Sequence, residues 1–147
     1  MENRGFRYKR IFIFLSLFAL IGCAPMTPYI LRNYEVGKIQ EVSVGSAMLE
    51  WEYGQEDKFR GYKAGTKKQL LYNGIARNVV NVSYREFEVD PGDRRRKPGT
   101  FIRPAFNREL QYDISKSKII AFQDYRIEIQ NADQEKISFK VLKEPSF

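Results

Sequence analysis

The sequence predicts an all-β domain, either a single antiparallel β-sandwich or a small β-barrel of about seven or eight strands. Apolar and polar residues alternate with a period of two in several segments, as they do in half-buried strands. Turn residues separate these segments. After the first 26 residues, no window of about a dozen residues shows the apolar stripe of an amphipathic helix. We therefore expect residues 35–147 to form one β-rich domain, a size that suits a single core.

The alternating segments follow one another along this domain. The first candidate strand, residues 36–42, alternates only weakly. The clearer segments are residues 47–53, 80–85, 87–89, 109–114, 125–130 and 137–141. Aromatic residues fall on the apolar face of these strands, where such rings normally supply core volume. We expect this of Trp51, Tyr53, Tyr84, Tyr112 and Tyr125.

The sequence identifies the turns and strand irregularities less clearly than the strands themselves. The apolar residues occupy even positions from Val80 to Tyr84 and odd positions at Phe87 and Val89, so we predict a β-bulge near Arg85-Glu86. Residues 131–135 have the length of a hairpin loop. The hairpin of residues 70–85 turns at Asn73-Gly74 or at Arg77-Asn78, and the sequence leaves both positions open.

The first 26 residues have the three parts of a secretory signal peptide. A basic flank, with Arg4, Arg7, Lys9 and Arg10, precedes the apolar run 11–21 and the small residue Gly22. The apolar run is too short to span a bilayer as a helix, which needs about 20 residues. Its end, Leu20-Ile21-Gly22-Cys23, resembles the lipobox of bacterial lipoproteins.

This resemblance implies that residues 1–22 are removed and that Cys23 is acylated, for example with palmitate, as the first residue of the mature chain. Residues 23–34 are then the lipidated cysteine and an extended tether of at most about 40 Å, unless residues 29–31 pack on the domain. Because Ala24 rather than Asp follows Cys23, the resemblance also implies the outer membrane, facing the periplasm, in a Gram-negative cell.

The composition argues against most enzymes and metal sites. The chain has no histidine and one cysteine, so neither an internal disulfide nor a nitrogen and sulfur metal site is expected. No phosphate-binding glycine motif is present, and we expect neither a cofactor nor a catalytic activity. Glu50 and Glu52 have the spacing of a carboxylate pair in an inverting glycosidase, yet alternating glutamates are ordinary on the wet face of a strand.

A basic segment interrupts the strand pattern. Pro91-Gly92 and Pro98-Gly99 enclose four consecutive cations, Arg94, Arg95, Arg96 and Lys97, and the segment continues to Arg103 and Arg108. Arginine suits phosphate and carboxylate groups, so an anionic lipid, glycan or acidic protein could bind here. The alternative is a solvated loop without a ligand. Nucleic acid is not expected as a partner, because an exported protein rarely meets it.

These observations predict a membrane-anchored envelope lipoprotein, a non-enzymatic structural or accessory component that docks on a protein assembly. The alternative is a binding module for anionic glycan or lipid headgroups that uses the basic loop 94–108. A third hypothesis is a glycan hydrolase based on Glu50 and Glu52. The expected partners are the membrane, through the lipid on Cys23, and an envelope protein.

Overall fold

The chain is all-β, with two antiparallel sheets packed as a sandwich. A computed structural model describes residues 25–59, 61–92 and 97–146, and within them the chain forms nine strands and no helix. In chain order the strands are β1 (Thr27–Arg32), β2 (Ile39–Ser43), β3 (Ala47–Asp57), β4 (Tyr62–Ala76), β5 (Val79–Asp90), β6 (Gly99–Asp113), β7 (Ile119–Phe122), β8 (Tyr125–Ala132) and β9 (Lys136–Lys143). Of the two predicted architectures, the structure has the sandwich.

The two sheets differ in length. The long sheet has the strand order β1-β3-β4-β5-β6 and the short sheet has the order β2-β9-β8-β7. Strands β3 to β6 follow one another as antiparallel neighbours. Strand β2 precedes them in the chain but pairs with β9. The chain therefore crosses between the sheets at its start, which ties the first residues of the domain to the last.

The core lies between the two sheets and contains the apolar faces of the alternating segments. The rings of Trp51 and Tyr125 pack with their centroids 4.9 Å apart. The prediction that aromatic residues supply core volume is confirmed for these two and for Tyr84, whereas Tyr53 and Tyr112 are half-buried at its margin. Other fully buried side chains come from both sheets: Leu49, Leu70, Tyr72, Val80, Ile120, Ile127, Ile129, Ile137 and Phe139.

Only part of the long sheet lies under the short one. Strands β3 to β6 have 11, 15, 12 and 15 residues, whereas the strands of the short sheet have four to eight. We call the part that contributes buried apolar side chains the covered half: residues 47–51, 70–76, 79–84 and 108–113. We call the remainder the extension: residues 52–57, 62–69, 85–90 and 99–107, together with β1. The long strands thus project beyond the core.

The open question of the first hairpin turn is resolved in favour of Arg77-Asn78, which connects β4 to β5. Arg77 has a φ of 59°, the left-handed conformation that tight hairpin turns require. Asn73-Gly74 lies inside β4, where the register with β5 shifts and Gly74 has a φ of 96°. The stronger turn dipeptide therefore forms a bulge, because its glycine accommodates the bulge conformation within a continuing strand.

The hairpin predicted at 131–135 is present, with a connection two residues shorter at its start, since β8 ends at Ala132 and β9 begins at Lys136. The Asp133 carboxylate accepts hydrogen bonds from the backbone N–H groups of Glu135 and Lys136, both at 2.8 Å. These bonds lower the pKa of Asp133. A side chain that satisfies the turn in this way is a common reason for aspartate in a short loop.

The irregularity predicted near Arg85-Glu86 is present in the pairing of β5 with β6. The register shifts there, because two steps from Arg85 to Phe87 correspond to five steps from Asn107 to Ile102. The pairing of β5 with β4 stays regular through the same residues. The additional residues therefore belong to β6. The change of apolar phase reflects the fact that Phe87 lies on the opposite face of the sheet from Tyr84.

Two strands, β1 and β7, lie outside the predicted segments, and β1 changes the boundary between tether and domain. Of the two possibilities left open for residues 23–34, the structure has the one in which residues 29–31 pack on the domain, because β1 pairs with β3 over six residues, from Thr27 to Arg32. The proline that suggested a tether, Pro28, is compatible with this edge strand. The chain therefore joins the sheet at Thr27. The predicted signal peptide and Cys23 lie outside the described residues.

Candidate functional site at the distal end of the long sheet

Three segments of the chain meet at the end of the extension that lies away from the short sheet. Asp57 pairs with Tyr62 across the β3–β4 turn, and Asp90 pairs with Gly99 across the β5–β6 connection. Thr27, the first residue of β1, pairs with Glu56 at the same end. We call the described residues of these segments, 25–27, 58, 59, 61, 91, 92, 97 and 98, the distal end. Antiparallel pairing brings them together although they are far apart in the sequence.

The β3–β4 turn presents a phenylalanine to solvent. The backbone N–H of Gly61 donates to the carbonyl oxygen of Asp57 at 2.8 Å, and that of Phe59 donates to the Asp57 carboxylate at 3.0 Å. Asp57 is itself buried, with 6% of its surface exposed. Gly61 has a φ of 69°, which closes the turn. Phe59 is 91% exposed, so its side chain is displayed in the turn rather than packed in the core.

The β5–β6 connection carries the predicted basic run. The Asp90 carboxylate accepts a hydrogen bond from the backbone N–H of Gly92 at 2.8 Å, and Gly92 has a φ of 77°. These contacts end β5 where the Pro-Gly signal predicted an interruption. Lys97 and Pro98 are exposed. The other three predicted contact residues of the run, Arg94, Arg95 and Arg96, lie outside the described residues.

The basic segment 94–108 is not one loop, and this prediction is corrected. Strand β6 begins at Gly99 and pairs with β5 from there, so residues 99–108 belong to the sheet. Arg108 is exposed but pairs with Tyr84 in the covered half. At about 3.3 Å per residue, the six positions from Tyr84 to Asp90 separate it from the distal end by roughly 20 Å. Arg103 lies within the bounds of β6, and its side chain is outside the described part of the chain.

The outer face of the extension is held together by charge pairs and hydrogen bonds. Lys67 Nζ lies 2.7 Å from Glu50 Oε1, and Gln69 also donates a hydrogen bond to the Glu50 carboxylate. The Tyr29 hydroxyl donates to Glu52 Oε1 at 2.8 Å. Burial and the neighbouring Glu52 carboxylate raise the pKa of Tyr29. Glu50 and Glu52 share one face as expected, and cross-strand pairing within the sheet accounts for both.

The inner face of the extension is also polar close to the core. Lys68 Nζ lies 3.9 Å from Glu86 Oε2 and 5.6 Å from the centre of the Tyr53 ring. The Tyr84 hydroxyl donates to Glu86 at 2.9 Å, and burial together with this bond raises the pKa of Tyr84. These side chains form the border at which the apolar core ends.

A second polar cluster marks the same border where the two sheets are tied together. Arg32, at the end of β1, makes an ion pair with Glu144, which follows β9. The Tyr34 hydroxyl donates to Glu144 Oε2 at 3.0 Å and lies 2.9 Å from the Tyr125 hydroxyl. The hydrogen bond from Arg32 lowers the pKa of Glu144. The cluster ties the end of β1 to the residue that follows β9, and so links the long sheet to the short one.

The sequence interpretation missed Phe59 and Lys58, which are both exposed in the β3–β4 turn. The alternating segment was ended at Tyr53, although the strand continues to Asp57. A signal was present in Lys58-Phe59-Arg60-Gly61, since a lone aromatic beside two cations and a glycine is unusual in a core-facing strand. It was hidden because the polar sequence of the extension lacks clear alternation.

The described ranges contain neither a helix that could cross a bilayer nor a cluster of three potential metal ligands among His, Cys, Asp and Glu. The distal end instead offers an exposed ring beside exposed lysine side chains, an arrangement suited to contact with a surface. Comparison with protein-family models, with curated proteins and with solved structures finds no match for this chain.

Proposed function

We propose that this chain is a lipid-anchored lipoprotein of the bacterial envelope, and that its sandwich is a non-enzymatic accessory module that docks on a protein assembly at the outer membrane. Two observations support this proposal: the resemblance of residues 1–23 to a signal peptide with a lipobox, and the start of β1 at Thr27. It assigns the lipid to Cys23 and the contact with the partner to the folded domain.

The observation that carries the proposal is the short distance between Cys23 and the first strand. Four positions separate Cys23 from Thr27, which begins β1. They span at most about 14 Å at roughly 3.5 Å per residue, much less than the 40 Å allowed by a tether that ended near Glu35. An acyl group on Cys23 would therefore hold the domain against the bilayer by its distal end. The short sheet would face away from the lipid, where a protein partner can reach it.

The edge of the short sheet offers a docking surface at that distance from the membrane. Strand β2 is an edge strand, paired with β9. Val36 and Ile39, which pair with Val141 and Lys140, are 44% and 65% exposed, and Leu142 is 41% exposed. Exposed apolar residues beside an edge strand are typical of a protein contact.

Labelling in cells tests the anchor. We expect the chain to incorporate radiolabelled palmitate and to fractionate with the membrane, and we expect Cys23→Ser to abolish the labelling. Equal labelling of the variant would refute the assignment of the lipid to Cys23.

Site-specific photo-crosslinking in intact cells tests the docking. We expect a crosslinker at Ile39 to capture one protein reproducibly, whereas a crosslinker at Gln130, an exposed residue on the outer face of β8, should not. The docking proposal fails if the two positions give the same products.

A second candidate function is binding of anionic glycan or lipid headgroups, and the distal end favours it. The basic run and Phe59 lie on neighbouring connections of one sheet, at the end that faces the membrane in the anchored arrangement. The site differs from the predicted segment 94–108 because Arg108 is remote from it. Binding of lipopolysaccharide and cell-wall fragments, compared between the protein and Lys97→Ser, tests this function. Unchanged binding would show that Lys97 does not contribute to a site for these ligands.

A further inference from the structure

The Phe59 side chain stands in solvent at the tip of the β3–β4 turn. It is 91% exposed, the most exposed of the large apolar side chains in the described residues. The turn that carries it is fixed by the two hydrogen bonds to Asp57, so the ring is held outward by ordered backbone. A large apolar side chain at the tip of an ordered turn is a feature of contact sites, because water solvates it poorly.

The charges around the ring point to the chemistry of the contact. Lys58 and Lys97 are exposed at the distal end. The two carboxylates at the strand ends, Asp57 and Asp90, accept hydrogen bonds from backbone N–H groups. The distal end therefore presents one apolar ring and two exposed lysine side chains, which complements an anionic bilayer.

The path of the chain provides the second argument for lipid. Residues before Thr27 leave the sheet at the distal end, and Met26 beside it is 46% exposed. Cys23 lies three residues further towards the N-terminus. An acyl chain there brings the whole end within reach of the headgroups. A membrane contact is thereby favoured over a protein partner at this end.

We infer that the distal end is a membrane-contact surface, in which the Phe59 ring enters the interface of an anionic bilayer and Lys58 and Lys97 face its phosphates. The inference rests on the proposed lipid anchor and adds a second, side-chain contact to it. It also assigns an orientation, with strands β3 to β6 rising from the bilayer and the short sheet farthest from it.

Fluorescence of the acylated chain in vesicles tests this contact. Trp51 is the single tryptophan and is 2% exposed, so it provides a constant background. Phe59→Trp places a reporter in the turn, and Ile39→Trp is the matched control at an exposed position of the short sheet. The proteins are reconstituted in phosphatidylglycerol or phosphatidylcholine vesicles whose acyl chains carry bromine. We expect the added emission at position 59 to shift to shorter wavelength and to be quenched, more strongly with phosphatidylglycerol, and that at position 39 to stay unchanged.

Each outcome separates the contact from the anchor, because the intact mass of the purified chain reports acylation independently. Acylated protein whose position 59 is no more quenched than position 39 overturns the membrane contact and leaves the anchor in place. A mass without acyl groups overturns the anchor and the inference built on it. If position 59 is shielded from aqueous iodide in native membranes but not in protein-free vesicles, the distal end binds a protein instead, and the lipid assignment is wrong.

Discussion

The two halves of the long sheet are built from the same strands but are stabilised differently. In the covered half, Trp51, Leu70 and Val82 are at most 2% exposed and pack against the short sheet. In the extension, the same strands continue with Tyr53, Lys68 and Glu86, which interact through charge pairs and ring contacts. Hydrophobic burial dominates the first region, whereas backbone hydrogen bonds and partly exposed polar contacts dominate the second.

A strand of this sheet can therefore extend well beyond the core that stabilises it. Exposed ion pairs contribute little, typically at most about 1 kcal/mol each, so the extension depends on attachment to the covered half. We therefore expect the extension to open locally at a lower free energy than the core. The segments proposed to contact lipid lie at its far end, where a change of conformation costs the core least.

The largest effect is expected from removing the indole at the centre of the covered half. Trp51→Ala leaves a cavity beside Tyr125 and should lower the free energy of unfolding by about 3–5 kcal/mol. Tyr53→Ala, two residues along the same strand face but half-buried, should cost about 1 kcal/mol. Urea unfolding measures both. Similar losses for the two variants would mean that the halves are not energetically distinct.

A smaller effect, confined to the extension, is expected from Gly54→Ala. Gly54 pairs with Gly65 of β4, and a Cβ at Gly54 would lie 2.1 Å from the carbonyl oxygen of Ala64. The backbones must separate, which should lower the free energy of unfolding by about 1–3 kcal/mol. Gln55→Ala, at the exposed neighbouring position, serves as the control and should change it by less than about 0.5 kcal/mol.

Hydrogen exchange shows where the Gly54→Ala change acts. We expect the amides of β3 and β4 in the extension to lose protection, while those of the short sheet keep theirs. Loss of protection throughout the protein would show instead that the extension and the core open together.

The same comparison explains what could be predicted from the sequence. The covered half was predicted because burial on one face enforces alternation, as in the segment from Val80 to Tyr84. Residues 62–69 of the extension have no such constraint, and their strand was missed. The choice between Asn73-Gly74 and Arg77-Asn78 depends on the pairing of β4 with β5, which no local propensity contains.

The candidate site was predicted only in part, for a related reason. The basic run at 94–97 is visible as composition, and its Pro-Gly flanks correctly predicted the interruption after Asp90. That Phe59 and Thr27 lie at the same end as this connection follows from strand order alone. Sequence proximity suggested Arg108 instead, although β6 carries it back towards the core.

At the border between the halves, Glu144 should make a pH-dependent contribution of intermediate size to the free energy of unfolding. Because the pKa of Glu144 is lowered in the folded protein, its contribution to stability is present above the unfolded value of about 4.3 and is lost as the pH falls through the lower, folded value. We expect Glu144→Gln to lower the free energy of unfolding by about 1 kcal/mol at pH 7, since the Arg32 side chain of the pair is 46% exposed. Urea unfolding between pH 3 and pH 7 measures this, and the variant should lose less stability on acidification.

The matched control for this change is Glu41→Gln. Glu41 pairs with Lys136 at 3.1 Å on the surface of the short sheet, away from the border, and both side chains are at least half exposed. We expect its effect at pH 7 to stay below about 0.5 kcal/mol. If the two variants behave alike, the Glu144 cluster does not tie the sheets together more firmly than an ordinary surface pair.

The smallest effect on stability is expected from replacing residues 94–97, between β5 and β6 in the sequence, by Ser-Gly-Ser-Gly. The run joins two strands of the extension, and four adjacent cations cannot be buried without matching anions. The free energy of unfolding should therefore change by less than about 1 kcal/mol, as for most surface changes. A thermal melt of the two proteins checks this. A large loss of stability would mean that the cations are paired within the fold, so that the distal end depends on internal electrostatics and is not a surface free to meet an anionic partner.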